Sequence, residues 1–111
     1  MLFRSGSVLN EHGFITKINS GVRAGGTYAW KIADRFTSGV PDCFYSGAKR
    51  MLFIEYKFAP GGGKCKPRLT ELQTTWLRNR QQEGHLVLVV VGTPTEARID
   101  RKSTRLNSSH T

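Results

Sequence analysis

Hydrophobic and polar positions along this chain follow two periods, one helical and one alternating. Phe14, Ile15 and Ile18 recur at helical spacing behind Asn10, a capping residue type, which predicts a short helix through about Asn19 with Gly21 just past its end. Gly13 lowers the helical propensity of that stretch. Residues 22–27 are glycine-rich and read as a loop, Tyr28 to Ile32 as a strand, and residues 35–41 as a second loop. Cys43-Phe44-Tyr45 and Met51 to Phe58 read as two strands of a hairpin that turns at Ser46 to Arg50. The second of them is apolar on both faces except at Glu55 and Lys57, the pattern of a central strand.

Beyond a basic, glycine-rich loop at residues 59–67, Thr70 is placed to cap the clearest helix, which runs to about Glu83 and stops at Gly84. Leu72, Trp76 and Leu77 are expected on its apolar face, with Arg78 and Arg80 outside. Leu86 to Val91 is a β-branched run of the buried type. A strand, a helix and a strand in that order predict a crossover and a parallel pair at the sheet centre. The expected class is therefore α/β, a mixed sheet of about four strands flanked by helices in the order α-β-β-β-α-β. No internal repeat is visible.

Size and charge narrow the picture. With 111 residues the chain suffices for one domain, placed at residues 1–100. Residues 101–111 carry a single large apolar residue and read as a disordered tail; they resemble translated sequencing-adapter read-through. Lys and Arg outnumber Asp and Glu by 17 to 8, a net charge of +9, which favours a polyanionic partner. The tail holds three of the basic residues and no acid, so the body stays basic without it. Cys43 and Cys65 form no CxxC or Cys/His cluster, so neither a zinc site nor a disulfide framework is indicated. No apolar run reaches the roughly 20 residues that cross a bilayer, and no signal-peptide core is present. A reducing, cytoplasmic setting is expected.

The chemistry lies in Gly39-Val40-Pro41-Asp42 and Phe53-Ile54-Glu55-Tyr56-Lys57. Side chains alternate along a strand, so Glu55 and Lys57 share one face while Ile54 and Tyr56 take the other. The hairpin folds Asp42, at the start of its strand, back towards both. Two carboxylates and a backbone carbonyl are enough protein ligand for Mg2+, which prefers hard oxygen donors and keeps several waters. Asp42, Glu55 and the carbonyl of Tyr56 meet that need, and Lys57 beside them suits an attacking hydroxide or charge growing on a phosphate. The glycines of the basic loop lack the Lys-Ser or Lys-Thr of a nucleotide P-loop.

These two segments, with Leu69-Thr70-Glu71-Leu72-Gln73-Thr74-Thr75-Trp76-Leu77 and Gly84-His85-Leu86-Val87-Leu88-Val89-Val90, resemble the VRR-NUC domain over about residues 9 to 95. That family belongs to the PD-(D/E)XK nuclease superfamily and includes small stand-alone phage and bacterial members. The resemblance implies a restriction-endonuclease-like core and a Mg2+- or Mn2+-dependent endonuclease acting on DNA, branched DNA included. It also implies a homodimer in the cytoplasm of a bacterial or phage-infected cell. By position it makes Asp42 and Glu55 metal ligands, Lys57 the catalytic lysine, and Gln73 the helix glutamine beside the metal. Glu11 matches a further acid on the first helix, and Lys31 a basic position before the Pro-Asp. Relatives often continue past the last core strand with another helix or strand, whose beginning falls at residues 92–100.

Each assignment has a plainer counterpart. Asp42 also suits a turn after proline, and Glu55 with Lys57 a solvated edge-strand face. Gln73 fits an exposed helix position, and Glu11 the first turn of a helix, where the dipole favours an acid. Lys31, Lys64, Lys66 and Arg68 read singly as solvated, although the last three lie in one segment able to track a phosphate backbone. Trp76 reads as core rather than as a base-stacking platform. His12 and His85 have no partner at metal or triad spacing. Two rival functions fit the same residues: a catalytically inactive, basic DNA-binding module, and a restriction-type or Holliday-junction-resolving endonuclease.

Overall fold

In the computed structural model, residues 9–34, 36–61 and 68–104 are described. They form eight elements: α1 (Glu11–Ala24), β1 (Tyr28–Lys31), β2 (Cys43–Ser46), β3 (Met51–Phe58), α2 (Glu71–Gln82), β4 (Leu86–Gly92), β5 (Ala97–Ile99) and α3 (Arg101–Thr104). The strands make one sheet in sequential order. β1, β2 and β3 are antiparallel, β3 and β4 parallel, and β5 returns antiparallel on β4. The β2–β3 hairpin turns where the sequence predicts, closed by Gly47 N–H donating to the Arg50 carbonyl (2.8 Å). The parallel pair runs in register from Leu52 opposite Leu86 to Phe58 opposite Gly92. It requires a crossover, and α2 supplies it.

Alternation along β3 divides the core into two layers. Tyr56, with the partly buried Leu52, Ile54 and Phe58, packs towards α1 among Phe14, Ile15, Cys43 and Tyr45. Phe53 packs on the other face with Trp76, Leu77, Val87 and Val89. The Phe14 ring stands edge-on to Tyr56 at 5.5 Å and occupies the space that a side chain at Gly92 would need. Truncating so enclosed an aromatic costs about 3–5 kcal/mol. The α1 layer also buries a polar chain: the Tyr45 hydroxyl donates to Asn19 Oδ1 (2.6 Å) and lies 2.7 Å from the Tyr56 hydroxyl. These groups are buried without charge, so satisfying each other is what makes them tolerable there.

Several elements differ from expectation. α1 starts where Asn10 predicts, its side chain accepting from Gly13 N–H (2.8 Å), but it passes through Gly21 to Ala24. Val22 continues the spacing of Ile15 and Ile18 onto the core, and Arg23 ties the helix end to the Ala29 carbonyl (3.0 Å). Those contacts outweigh the roughly 1 kcal/mol that a mid-helix glycine costs. Leu72 is 58% exposed rather than on the apolar face of α2. At 100° per residue it lies about 140° around the helix from the buried Leu77.

The sheet has a fifth strand at residues 97–99, in the stretch where a further element was expected to begin. The first four residues of the expected tail form α3. β5 ends at Ile99 and leaves polar edge groups on β4 to satisfy. Val89 N–H donates to Thr104 Oγ1 (3.0 Å), and Gln81 Nε2 to the Thr104 carbonyl (2.8 Å). Residues 105–111 lie outside the described residues, as does Cys65. Cys43 is a buried free thiol. Among the described residues no helix is long and apolar enough to cross a membrane.

Candidate active site

Gly39 brings the two halves of the site together. Its φ is +85°, and a Cβ there would overlap the Leu72 carbonyl, with the Leu72 carbonyl carbon only 2.6 Å away. Glycine is the residue type that reaches this conformation and this approach without strain. The 39–42 segment therefore lies against the first turn of α2. Pro41 is fully buried behind it, and the Asp42 carbonyl accepts from Ile32 N–H (2.8 Å). Asp42 enters β2 held on both sides.

From that position Asp42 Oδ2 accepts from Tyr56 N–H at 2.7 Å. The N–H and C=O of one residue leave an extended strand on the same side, so the Tyr56 carbonyl also opens towards Asp42, beyond the last β2–β3 pair, Cys43 with Ile54. Its phenol points to the opposite face, into the α1 layer. Glu55 and Lys57 share the α2 face, as alternation predicts, with Lys57 Nζ 3.5 Å from Glu55 Oε2.

Gln73 links them. Its Nε2 donates to Glu55 Oε2 (3.0 Å), and its Oε1 accepts from Lys57 Nζ (3.1 Å) and from Thr70 N–H (2.9 Å). Thr70 Oγ1 accepts from Gln73 N–H in return, so the same glutamine completes the capping box of α2. The Thr-x-x-Gln spacing of that box was present in the sequence and would have pinned Gln73 to the first turn of the helix.

The two acids sit uneasily together. Glu55 is only 3% exposed, and burial pushes its carboxyl up to about 8, with the negative charge of Asp42 adding to the effect and Lys57 opposing it. Asp42 is also raised, chiefly by burial, against the Tyr56 N–H bond and the charges of Lys57 and Lys31. Glu55 Oε1 is buried without a hydrogen-bond partner. Protonated, Glu55 can share its proton with Asp42; ionised, this oxygen has no donor, at a cost on the order of 1–3 kcal/mol or more. Asp42 interacts directly with Glu55, and with the carbonyl of the intervening Tyr56 these are hard oxygens, the set that suits a small divalent cation. The residues present therefore fit such an ion.

The remaining predicted residues are more scattered. Glu11, in the first turn of α1, is exposed; its carboxyl is raised by partial burial and by the charge of Asp42, while Lys57 and Lys31 pull it down. It is thus within electrostatic reach of the site, yet among the described residues no three His, Cys, Asp or Glu side chains converge as a metal cluster. Lys31 is exposed, and its Nζ lies 3.2 Å from His12 Nδ1, a pairing across elements that spacing along the chain cannot reveal. Arg68 is exposed just before α2, and Lys64 and Lys66 lie outside the described residues. Trp76 is only partly buried, edge-on to Phe53 at 5.1 Å.

No family model and no curated protein matches the sequence. Among solved structures, the fold is similar to that of Hjc, a Holliday junction resolvase from the archaeal hyperthermophile Archaeoglobus fulgidus, with a TM-score of 0.65 and 18% sequence identity. The match covers 81% of this chain and 75% of that one. The architecture, a mixed five-stranded sheet between helices, is similar to the fold of that structure.

Proposed function

We propose that this protein is a divalent-metal-dependent endonuclease that hydrolyses phosphodiester bonds in DNA, a VRR-NUC-like member of the PD-(D/E)XK nucleases with a preference for branched DNA. The observation that carries the reading is the joined set of Asp42, Glu55, Lys57 and Gln73 around one buried, unpartnered carboxylate oxygen. The fold neighbour is a Holliday junction resolvase, which favours branched over linear DNA as substrate.

Mg2+ or Mn2+ held by Asp42, Glu55 and the Tyr56 carbonyl would supply Lewis acidity, making water nucleophilic at neutral pH and offsetting charge on the phosphate. The protein's own groups arrange the rest. Tyr56 N–H fixes the rotamer of Asp42, leaving Oδ1 for a ligand. Gln73 orients Glu55 and Lys57 at once, and the capping box holds Gln73. The Lys57 side chain, 23% exposed, would donate from its ammonium to a nonbridging phosphate oxygen as negative charge builds there. Water oxygen attacks phosphorus and gives up one proton to solvent, the bond to the leaving ester oxygen breaks, and that oxygen takes a proton from solvent. A net charge of +9 draws the polyanion to the surface without reading its sequence. A homodimer would present two such sites to two strands.

The test is digestion of linear, nicked, flapped and four-way DNA with Mg2+ or Mn2+. Wild type should cut, branched substrates fastest, while Lys57→Ala and Asp42→Asn should lose at least about a hundredfold in rate and still bind DNA in EDTA. Equal cleavage by all three proteins would overturn the assignment of the site. DNA binding without cleavage under any divalent ion would leave an inactive binding module.

A further inference from the structure

The α2 face of the sheet carries a row of aromatic rings that the cleavage chemistry does not use. Trp30, Phe44 and Phe53 are direct cross-strand partners on β1, β2 and β3, and Trp76 on α2 continues the line. Neighbouring rings lie 6.4, 5.2 and 5.1 Å apart, all tilted or edge-on, and the Arg80 guanidinium lies 5.0 Å from the Trp76 ring. Because α2 sits chiefly over β4, the β1 end of this row is open, and Trp30 is 50% exposed.

Facing the row is the loop that carries Asp34 and Phe36. Asp34 Oδ1 accepts from the N–H groups of Phe36 (2.8 Å) and Thr37 (3.1 Å), which occupies that carboxylate oxygen within its own loop. Phe36 is left 97% exposed, a conspicuous position for a phenyl ring on a basic protein. Between loop and sheet lies a groove of about 610 Å³ lined by Trp30, Lys31, Phe36, Val40, Phe53 and Trp76, among others. It opens beside the site: Phe53 is two residues before Glu55 on the same strand face, about 7 Å away, and Val40 is two residues before Asp42.

We propose that this groove binds an unpaired nucleobase of the DNA next to the scissile phosphate, so that the protein selects substrates with an unstacked nucleotide at the cut. The inference rests on the nuclease reading above and adds the source of its structure preference. Trp30 and Phe36, the exposed rings of the groove, can each meet the π-face of any base, which fits a structure-selective rather than sequence-selective grip. Lys31 at the rim supplies a cation for the attached phosphate. A second copy of this chain is the poorer occupant, since it would bring two molecules of net charge +9 together, whereas DNA is attracted to each.

The experiment measures binding in EDTA, where no cutting occurs, of a fully paired duplex and of the same duplex carrying a three-nucleotide flap with 2-aminopurine at the branch. Wild type, Phe36→Ala and Trp30→Ala are compared, Phe36 being so exposed that its truncation leaves the fold intact. Wild type should favour the flap and quench the 2-aminopurine. Each variant should lose about tenfold in flap affinity, lose the quenching, and bind the paired duplex within about twofold of wild type. Unchanged flap affinity and quenching, or equal losses on both DNAs, would overturn the proposal. So would a wild-type dimer that Phe36→Ala or Trp30→Ala turns into a monomer while flap preference persists, which would make the face a subunit interface. Flap preference and quenching lost in the variants, with no divalent ion supporting cleavage by wild type, would retain the groove and remove only the nuclease reading. Cleavage that ignores unpaired nucleotides would do the reverse.

Discussion

Replacing Glu55 by Gln should make the metal-free protein more stable while removing its affinity for divalent ions. Glu55 is buried beside Asp42, and its carboxyl is raised from 4.5 to about 8 in the folded chain. A raised value means that the native state binds more protons than the unfolded chain between these two pH values. The stability linked to this group is complete below about 4.5, falls as pH rises, and is fully lost once pH passes about 8. Each pH unit well inside that window removes about 1.4 kcal/mol and less as pH nears 8, so wild type should lose roughly 2 kcal/mol from this group between pH 6 and pH 8.

Glutamine cannot ionise, keeps an oxygen for the Gln73 amide, and can turn its own amide towards Asp42. Thermal unfolding in EDTA, followed by circular dichroism, should therefore show the melting temperature of Glu55→Gln gaining on wild type by roughly 10 °C or more from pH 6 to pH 8. Mg2+ or Mn2+ should raise the wild-type midpoint, more at pH 8 than at pH 6, and leave the variant's unchanged. A Glu55→Gln midpoint that tracks wild type at both pH values would refute the argument that this carboxylate is held at a cost for the sake of a cation.

Two further substitutions test how the site is held. Gln73→Ala should reduce metal-dependent cleavage by about 10- to 100-fold, because both Glu55 and Lys57 lose the amide that orients them. Single-turnover kinetics at saturating Mn2+ would measure it, and a rate within about twofold of wild type would return Gln73 to a capping role alone. Gly39→Ala should cost about 2–3 kcal/mol, since the added methyl meets the Leu72 carbonyl at a positive φ. A urea midpoint equal to wild type would contradict the close approach of this loop to α2.

Much of this protein is legible in its sequence, wherever the deciding interaction is local. Alternation alone put Glu55 and Lys57 on one face of a central strand, because the side-chain period of a strand is a property of its backbone. Capping chemistry set the starts of α1 and α2, and the strand-helix-strand order required the parallel pair of β3 and β4. Tertiary packing decided what local chemistry left open. α1 runs past Gly21 because Val22 and Arg23 find partners on the sheet, and residues 101–104 turn into α3 because β4 has edge groups to satisfy. The site belongs to both levels. Its acids and lysine are written in two short motifs, but the orphaned Glu55 oxygen, the three-way grip of Gln73 and the approach of Gly39 to α2 arise only when residues far apart in the chain exclude water together. Burial and repulsion depend on that enclosure, and enclosure is a property of the folded whole.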